Sequence, residues 1–336
     1  MTSIGIERPD FEITLNARNV TVDLAPYVLS LIYVDHVEGK ADTLDIRLAD
    51  EDGRFRGEWY PTKGDRLSLR FGYADEDLAD GGDYEVDEVA GDGPPDTVTI
   101  RGIAAGVGLP LRTNRTGHHE DTTLAGIAKE IAGRLGLSVV GVIDPIPIGR
   151  ETQRAEHDLT FLKRLAGEYG HAFSVKGRQL VFHKRGDLWR AAPVLTVARG
   201  DLSRYRITDK IRGVVTHARV SHHDPATKGV IGHTANETRR MGEDVSSDAL
   251  ELALRAETRE QAMIKAESAL DVANMDGTRI EATLMGNPRL VAGANFRLSG
   301  MGRFGGVWHI TSSRHEMDRG RGYETEVEAK RVKVSV

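Results

Sequence analysis

The chain has 336 residues, of which 39% are hydrophobic, 29% charged and 6% aromatic, with 37 glycines and no cysteine. That length exceeds what one core comfortably serves and predicts two or three domains, while the lack of cysteine excludes disulfides, thiolate zinc sites, cysteine-ligated iron–sulfur clusters and cysteine nucleophiles. No apolar run approaches the ~20 residues of a membrane helix, Met1–Asp10 has neither a basic start nor an apolar stretch, and a net charge of −6 argues against a general affinity for nucleic acid, so membrane anchoring, a secretory signal and sequence-specific nucleic-acid binding are not expected.

The charge is uneven. Residues 1–110 hold 10 basic and 23 acidic side chains, a net of −13, whereas the remainder holds 35 and 28, a net of +7. Acidic loops such as Asp75-Glu76-Asp77 keep a surface solvated, and segments of opposite sign also attract one another within or between subunits.

The first 110 residues read as short strands. Phe11, Ile13, Leu15 and Ala17 alternate, as do Leu44, Ile46 and Leu48, and again Leu67, Leu69 and Phe71. Period-two alternation places one face in a core and the other in water. Turn signals at Asp52-Gly53, Lys63-Gly64-Asp65 and Asp80-Gly81-Gly82-Asp83 separate them, and Gly91–Asp96 joins Tyr84–Ala90 to Thr97–Arg101 as a hairpin. About six such strands predict an antiparallel barrel or sandwich.

The character changes near residue 115. Asp121 or Thr122 is expected to cap a helix carrying Leu124, Ile127, Ala128, Ile131, Ala132 and Leu135, closed by Gly136. A second helix is expected over Asp158–Tyr169, with Leu159, Phe161, Leu162 and Leu165 in the core and Gly170 at its end, followed by a hairpin across Lys176-Gly177-Arg178. Strands return from about residue 195, at Ile211–Ser221, Val230–Thr234, Leu250–Leu254, Arg279–Leu284, Asn295–Leu298, Gly306–Ser312 and Tyr323–Arg331. One long helix of about 258–274 intervenes, opened by a Thr258-x-x-Gln261 capping box and faced by Ala262, Met263, Ala266, Ala269, Leu270 and Ala273.

A weak internal repeat carries the most organisational information. Gly64-Asp65-Arg66-Leu67-Ser68-Leu69 resembles Gly293-Ala294-Asn295-Phe296-Arg297-Leu298, and Gly82-Asp83-Tyr84-Glu85-Val86 resembles Gly306-Val307-Trp308-His309-Ile310. Two related β units flanking the central stretch are expected, although hairpins of β proteins also look alike without kinship.

The chemistry-bearing motifs are few. Gly300-Met301-Gly302-Arg303-Phe304-Gly305 matches G-x-G-x-x-G, but a strand rather than a helix is expected after it, so it reads as a turn and not a dinucleotide site. His118-His119-Glu120-Asp121 and His222-His223-Asp224, with His233, offer metal-ligand types without H-E-x-x-H spacing and read as exposed loop histidines; a low-specificity ion site at these positions stays open. There is no G-x-S-x-G elbow and no G-x-x-x-x-G-K-[ST] loop. No catalytic, cofactor-binding or metal-binding residue is assigned, and the chain is expected not to be an enzyme.

The segment from Gln153 to Phe173, with Asp158, Phe161-Leu162-Lys163-Arg164-Leu165-Ala166, Glu168 and Gly170, is similar to the signature of the phage late control D family, the baseplate hub proteins of contractile tails. Thr123-Leu124, Ile127-Ala128 and Leu135-Gly136-Leu137 resemble its preceding helix, and Gly286–Leu290, Gly293, Gly306-Val307-Trp308, His315 and Gly322–Thr325 its closing pattern. The resemblance implies a mainly β fold with an α+β insert: two tail-tube-like antiparallel β-barrels, at 1–112 (acidic) and 196–336 (with the long helix), flanking a small α+β module at 113–195. It further implies a homotrimer whose barrels form a pseudo-sixfold ring, adapting a hexameric tail tube protein to a trimeric spike protein, with other baseplate subunits and the tape measure protein as further partners. The place implied is the tail baseplate of a virion or injection particle, made in the host bacterial cytoplasm. Similar modules begin the spike proteins of type VI secretion; with no β-helix repeat before Val336, the spike is expected to be a separate polypeptide. The rival readings are a β-rich tail-associated hydrolase acting on cell-wall glycan or peptide, and another tube or spike subunit.

Overall fold

The expected alternation does become strands. The computed structural model describes residues 8–104, 113–210, 215–224, 228–236 and 248–332. Its first part comprises β1 (Pro9–Leu15), β2 (Arg18–Asn19), a single turn α1 (Thr21–Leu24), β3 (Val28–His36), β4 (Thr43–Ala49), β5 (Arg66–Tyr73), β6 (Ala79–Asp92) and β7 (Thr97–Ala104). Ile13, Leu44, Ile46, Leu48, Leu67, Leu69 and Phe71 point to one core with Tyr33, Phe55 and Tyr84, as period-two patterning requires. β6 and β7 form the expected hairpin, with Asp92 opposite Thr97.

The central part comprises β8 (Asn114–Thr123), α2 (Leu124–Leu135), β9 (Ser138–Gly141), β10 (Pro147–His157), α3 (Asp158–Glu168), β11 (His171–Lys176), β12 (Gln179–Lys184) and α4 (Arg185–Arg190). The α2 cap falls later than expected: Thr123, the last residue of β8, accepts the Gly126 N–H at 3.1 Å, while Thr122 lies one residue earlier in the strand, opposite Ile148. Gly136 and Gly170 turn left-handed after α2 and α3, at φ +67° and +75°, where a Cβ would be strained. Ile127, Ile131, Phe161, Leu162, Leu165, Leu180 and Phe182 close a separate core, while Leu159 is only partly buried against it.

The last part comprises β13 (Leu195–Ala198), β14 (Leu202–Asp209), β15 (His217–Asp224), β16 (Gly229–Asn236), β17 (Ala249–Leu252), α5 (Arg259–Met275), β18 (Thr278–Met285), β19 (Asn295–Ser299), β20 (Gly306–Asp318) and β21 (Gly322–Arg331). Of the strand expected from Ile211, residues 211–214 lie outside the described residues. α5 packs on the β16–β15–β17 sheet through Ala262, Ala266 and Leu270. Its buried face differs from the expected stripe: Met263 is 38% exposed, whereas Lys265 is 1% exposed. Lys265 is tolerated there because it donates to Glu168 at 2.6 Å and to the Arg255 carbonyl at 2.9 Å, and lies 4.7 Å from the Tyr169 ring centre. The capping box is half made: Thr258 accepts the Gln261 N–H, but Gln261 reaches past it to the Glu257 N–H and donates its amide to the Pro147 carbonyl.

The first and last parts share one 13-stranded sheet. Its path runs β14-β18-β21-β20-β3-β4-β7-β6-β5-β1, so β20 and β3 make the seam. The strands repeat in order: β3-β4-β7-β6-β5 in the first part has its counterpart in β14-β18-β21-β20-β19 in the last. The registers repeat with it. Leu67 faces Tyr84 and Leu69 faces Gly82, as Phe296 faces Trp308 and Leu298 faces Gly306. Ile46 faces both Leu31 and Ile100, as Ala282 faces both Tyr205 and Val327. Even the irregularities coincide: β6 slips against β7 between Val86 and Glu88, and β20 against β21 between Ile310 and Ser312. β3 slips against β4 between Val28 and Ser30, and β14 against β18 between Leu202 and Arg204. Bulges mark individual sheets, so shared bulge positions set this correspondence apart from any two hairpins looking alike. Two features depart from it: β1 runs antiparallel to β5, whereas β13 runs parallel to β19, and β5 slips against β6 between Leu69 and Arg70, whereas the β19–β20 pairing has no slip.

Candidate assembly surfaces

The repeat defines where the two sheet units meet within one chain. Ser312–Asp318 of β20 pair with Ser30–His36 of β3, and Met317 and Tyr323 enter the first unit's core. Asp35, 4% exposed on β3, accepts the Ala292 N–H at 2.9 Å and the Lys176 ammonium at 2.5 Å. Lys176 comes from the tip of the β11–β12 hairpin and also bonds Asp42, which in turn accepts the His36 N–H at 3.0 Å. All three parts of the chain therefore converge on residues 35–42. Burial, only partly offset by Lys176, pushes the Asp42 carboxyl up to about 6. Burial opposes the Lys176 charge as well, but Asp35 and Asp42 outweigh it and hold its pKa above the ordinary lysine value. Arg185 of α4 adds a pair with Glu38 at 2.8 Å.

The two ends of the sheet units differ. At one end lie short turns, Asp92–Thr97 and its counterpart Asp318–Gly322, beside the start of β3. At the other end the β3–β4 connection spans residues 37–42, whereas its counterpart between β14 and β18 spans 210–277 and holds β15, β16, β17 and α5. The central part is attached at this second end, through the Asp35–Lys176–Asp42 contact.

Between β1, β5 and the loop that joins β4 to β5 lies an apolar groove of about 310 Å³, lined by Leu15, Val20, Leu24, Trp59, Tyr60 and Leu67 among others. Beside it Val22 is 86% exposed. Arg54 lies over Tyr27 and Trp59, at 4.3 and 4.9 Å from the ring centres, and fixes the loop between β4 and β5. The corresponding connection between β18 and β19 spans residues 286–294 and has no aromatic side chain.

The histidines singled out from sequence lie on strands rather than loops. His118 is exposed on β8, but His119 faces inward, stacks on Phe161 at 5.4 Å and bonds Glu130 at 2.9 Å. β8 is so polar that its pairing with β10 leaves no alternation to read, which is why these positions resemble a loop in sequence. His222 and His223 sit on β15 opposite Ile231 and Val230, and His233 on β16 opposite Val220. Among the described residues no three of His, Asp and Glu are grouped to hold a metal ion. Gly302–Phe304 is a single 3₁₀ turn between β19 and β20, so the glycine motif lies in a hairpin as expected. The feature that the residue order does not announce is the Asp35–Lys176–Asp42 contact, which joins side chains more than 130 residues apart.

No family model matches the chain. It is 35% identical over 214 residues to the probable baseplate hub protein of Escherichia phage 186, and 36% identical over 214 residues to that of Escherichia phage P2, in each case 62% of this chain and 54% of the relative. The chain thus spans about half the length of the curated relatives it matches. Among solved structures, a 43 kDa tail protein of prophage MuSo2 from Shewanella oneidensis superimposes with a TM-score of 0.70 at 16% identity, over 96% of this chain and 98% of that one. An Escherichia coli component of the type VI secretion system superimposes with a TM-score of 0.52 at 13% identity, over 92% of this chain and 74% of that one. The resemblance to phage baseplate hub proteins is borne out, and the mainly antiparallel β fold with it.

Proposed function

We propose that this chain is a structural, non-enzymatic baseplate hub of a contractile phage tail or a phage-derived injection particle, working as a homotrimeric ring between tail tube and spike. The observation that carries the reading is the repeated register: one chain supplies two sheet units of the same strand order, with two register shifts at matching positions. Three such chains around a threefold axis supply six similar units. A head-to-tail contact that closes after three copies gives a ring rather than a filament.

The unequal ends fit such an adaptor. The end with short turns repeats twice per chain and so six times per ring, which suits a hexameric tube. The opposite end carries one central part and one α5 layer per chain, three per ring, which suits a trimeric spike. The likeness to hub proteins of two phages supports the same place, a virion tail baseplate. The same reading divides the chain near residues 112 and 195, a division supported by the gap between β7 and β8 and by the start of β13, and treats the α5 layer as an insertion within the second unit.

Native mass spectrometry of the purified chain tests the reading. The expected mass is three times 36.8 kDa. A hexamer points to a tube subunit, and a chain that stays monomeric at micromolar concentration contradicts the hub.

A further inference from the structure

Two strand edges lie open, and the repeat says what belongs on them. Among the described residues β14 pairs only with β18, leaving its other edge free. β6 pairs with β5 only as far as Glu85, and Asp87–Asp92 have no strand on that side among the described residues. Their counterparts within the chain are not free. β14 corresponds to β3, and Asp87–Asp92 correspond to the part of β20 that pairs with β3 at the seam. The seam is thus a finished example of a joint for which the open edges are the two unmade halves.

We propose that β14 of one copy pairs antiparallel with the Asp87–Asp92 stretch of β6 in the next copy, in the register of the β3–β20 seam. This rests on the ring reading above and names its contact. At the seam His36 faces Ser312, Val34 faces Arg314 and Ile32 faces Glu316. Carried through the repeat, Lys210 faces Glu88, Thr208 faces Ala90 and Arg206 faces Asp92 across the joint. Two of these three pairs bring opposite charges together, which neither the repeat nor the backbone demands. Opposite charges placed directly across an antiparallel pair stabilise it and disfavour slipped registers.

The free chain leaves those charges available. Arg204, Arg206 and Lys210 make no ion pair among the described residues, and the only partner of Glu88 there is a 3.4 Å contact with Arg101 between two exposed side chains. The pairing also accounts for the uneven charge of the sequence, since an edge of the acidic first unit meets a basic edge of the last.

The seam further fixes which pairs lie closest. The Val37 N–H bonds the Thr311 carbonyl and the Arg319 N–H bonds the Leu29 carbonyl, so Val34 and Arg314 form a non-hydrogen-bonded pair. Thr208 and Ala90 inherit that geometry, with Cα atoms about 4.5 Å apart, within reach of a disulfide. The chain has no cysteine of its own, so engineered thiols have no competitor.

The test is oxidative cross-linking of the full chain. An equimolar mixture of Ala90→Cys and Thr208→Cys chains is expected to give a disulfide-linked dimer, with neither chain cross-linking alone. One chain carrying both substitutions is expected to give a covalent trimer. Substituting Arg206→Cys for Thr208→Cys, two residues out of register, is expected to lower the yield at least tenfold. As a thiol-free check, Asp92→Arg is expected to weaken assembly and Asp92→Arg with Arg206→Asp to restore it. Trimers of native mass without the disulfide overturn the strand pairing and leave the ring standing. Equal yield from the out-of-register pair overturns the register, and a monomeric unsubstituted chain overturns both. A ladder running past three chains contradicts the ring and upholds the pairing.

Discussion

Tyr84 and Trp308 occupy one position in two copies of the same hairpin. Each is buried, each lies two residues after a left-handed glycine, Gly82 at φ +91° and Gly306 at φ +128°, and each faces an apolar residue on the preceding strand. The Gly64 N–H bonds the Val86 carbonyl and the Gly293 N–H bonds the Ile310 carbonyl, at 2.8 and 2.9 Å. One backbone design is therefore used twice with different side chains, and the joint between the two copies is the contact from which a ring can be built.

The two units are coupled at Gly286. Its carbonyl accepts the Tyr73 hydroxyl at 2.7 Å, and a Cβ placed there would come within 2.1 Å of the Tyr323 ring. Gly286→Ala is expected to destabilise the chain by about 3 kcal/mol, at the upper end of overpacking costs. Gly64→Ala, with open space around its Cβ but φ +92°, is expected to cost only about 1 kcal/mol. Urea unfolding midpoints of the two variants check the order.

Lys176 holds the central part to the first sheet unit, whose Asp35 also accepts the Ala292 N–H of the second. Lys176→Met leaves Asp35 and Asp42, 4% and 6% exposed, without their counter-charge. A loss of about 3 kcal/mol is expected, as when one partner of a buried ion pair is removed. Adding Asp42→Asn is expected to recover part of it. Urea unfolding of the single and double variants reads both effects, and no recovery in the double variant contradicts the account.

Acid is expected to weaken the fold through two buried histidines. Burial, with Lys330 adding to it, lowers His309 to about 4, and burial lowers His315 to about 4. His315 is further held by Tyr323 and Thr325, at 2.8 and 3.1 Å. The unfolded chain protonates these groups near pH 6.5 and the folded chain does not until about 4, so their stabilising effect is present above pH 6.5 and is lost as the pH falls to 4. Each contributes on the order of 3 kcal/mol to that fall. Asp42 acts oppositely: its folded value of about 6 lies above the ordinary 3.8, so its contribution is lost as pH rises through that window. Two histidines against one carboxyl leave a net decline on acidification. His315→Gln is expected to flatten the dependence of the urea midpoint between pH 7 and 4; an unchanged slope contradicts the assignment.

Much of this was legible in residue order because burial on one face writes itself as alternation. Leu67, Leu69 and Phe71 announce β5, and the glycine spacing around Tyr84 and Trp308 announces the repeat. β14 was not legible, because Ser203, Arg204, Tyr205 and Arg206 are all exposed and no apolar period survives. β8 was hidden for the same reason, and His119 was misplaced with it. The Met263–Lys265 exchange on α5 escaped because a lysine inside a core is paid for by Glu168 and Arg255, one from a neighbouring helix and one from a preceding loop. The seam between β3 and β20 joins residues nearly the whole chain apart, and no local pattern encodes it.

The central claim is that one chain carries two equivalent ring units. End-on electron-microscope averages of the purified assembly test it most directly. The account predicts threefold particles whose inner ring shows six evenly spaced densities. Six chains per ring, or threefold particles whose inner ring shows only three such densities, contradicts it.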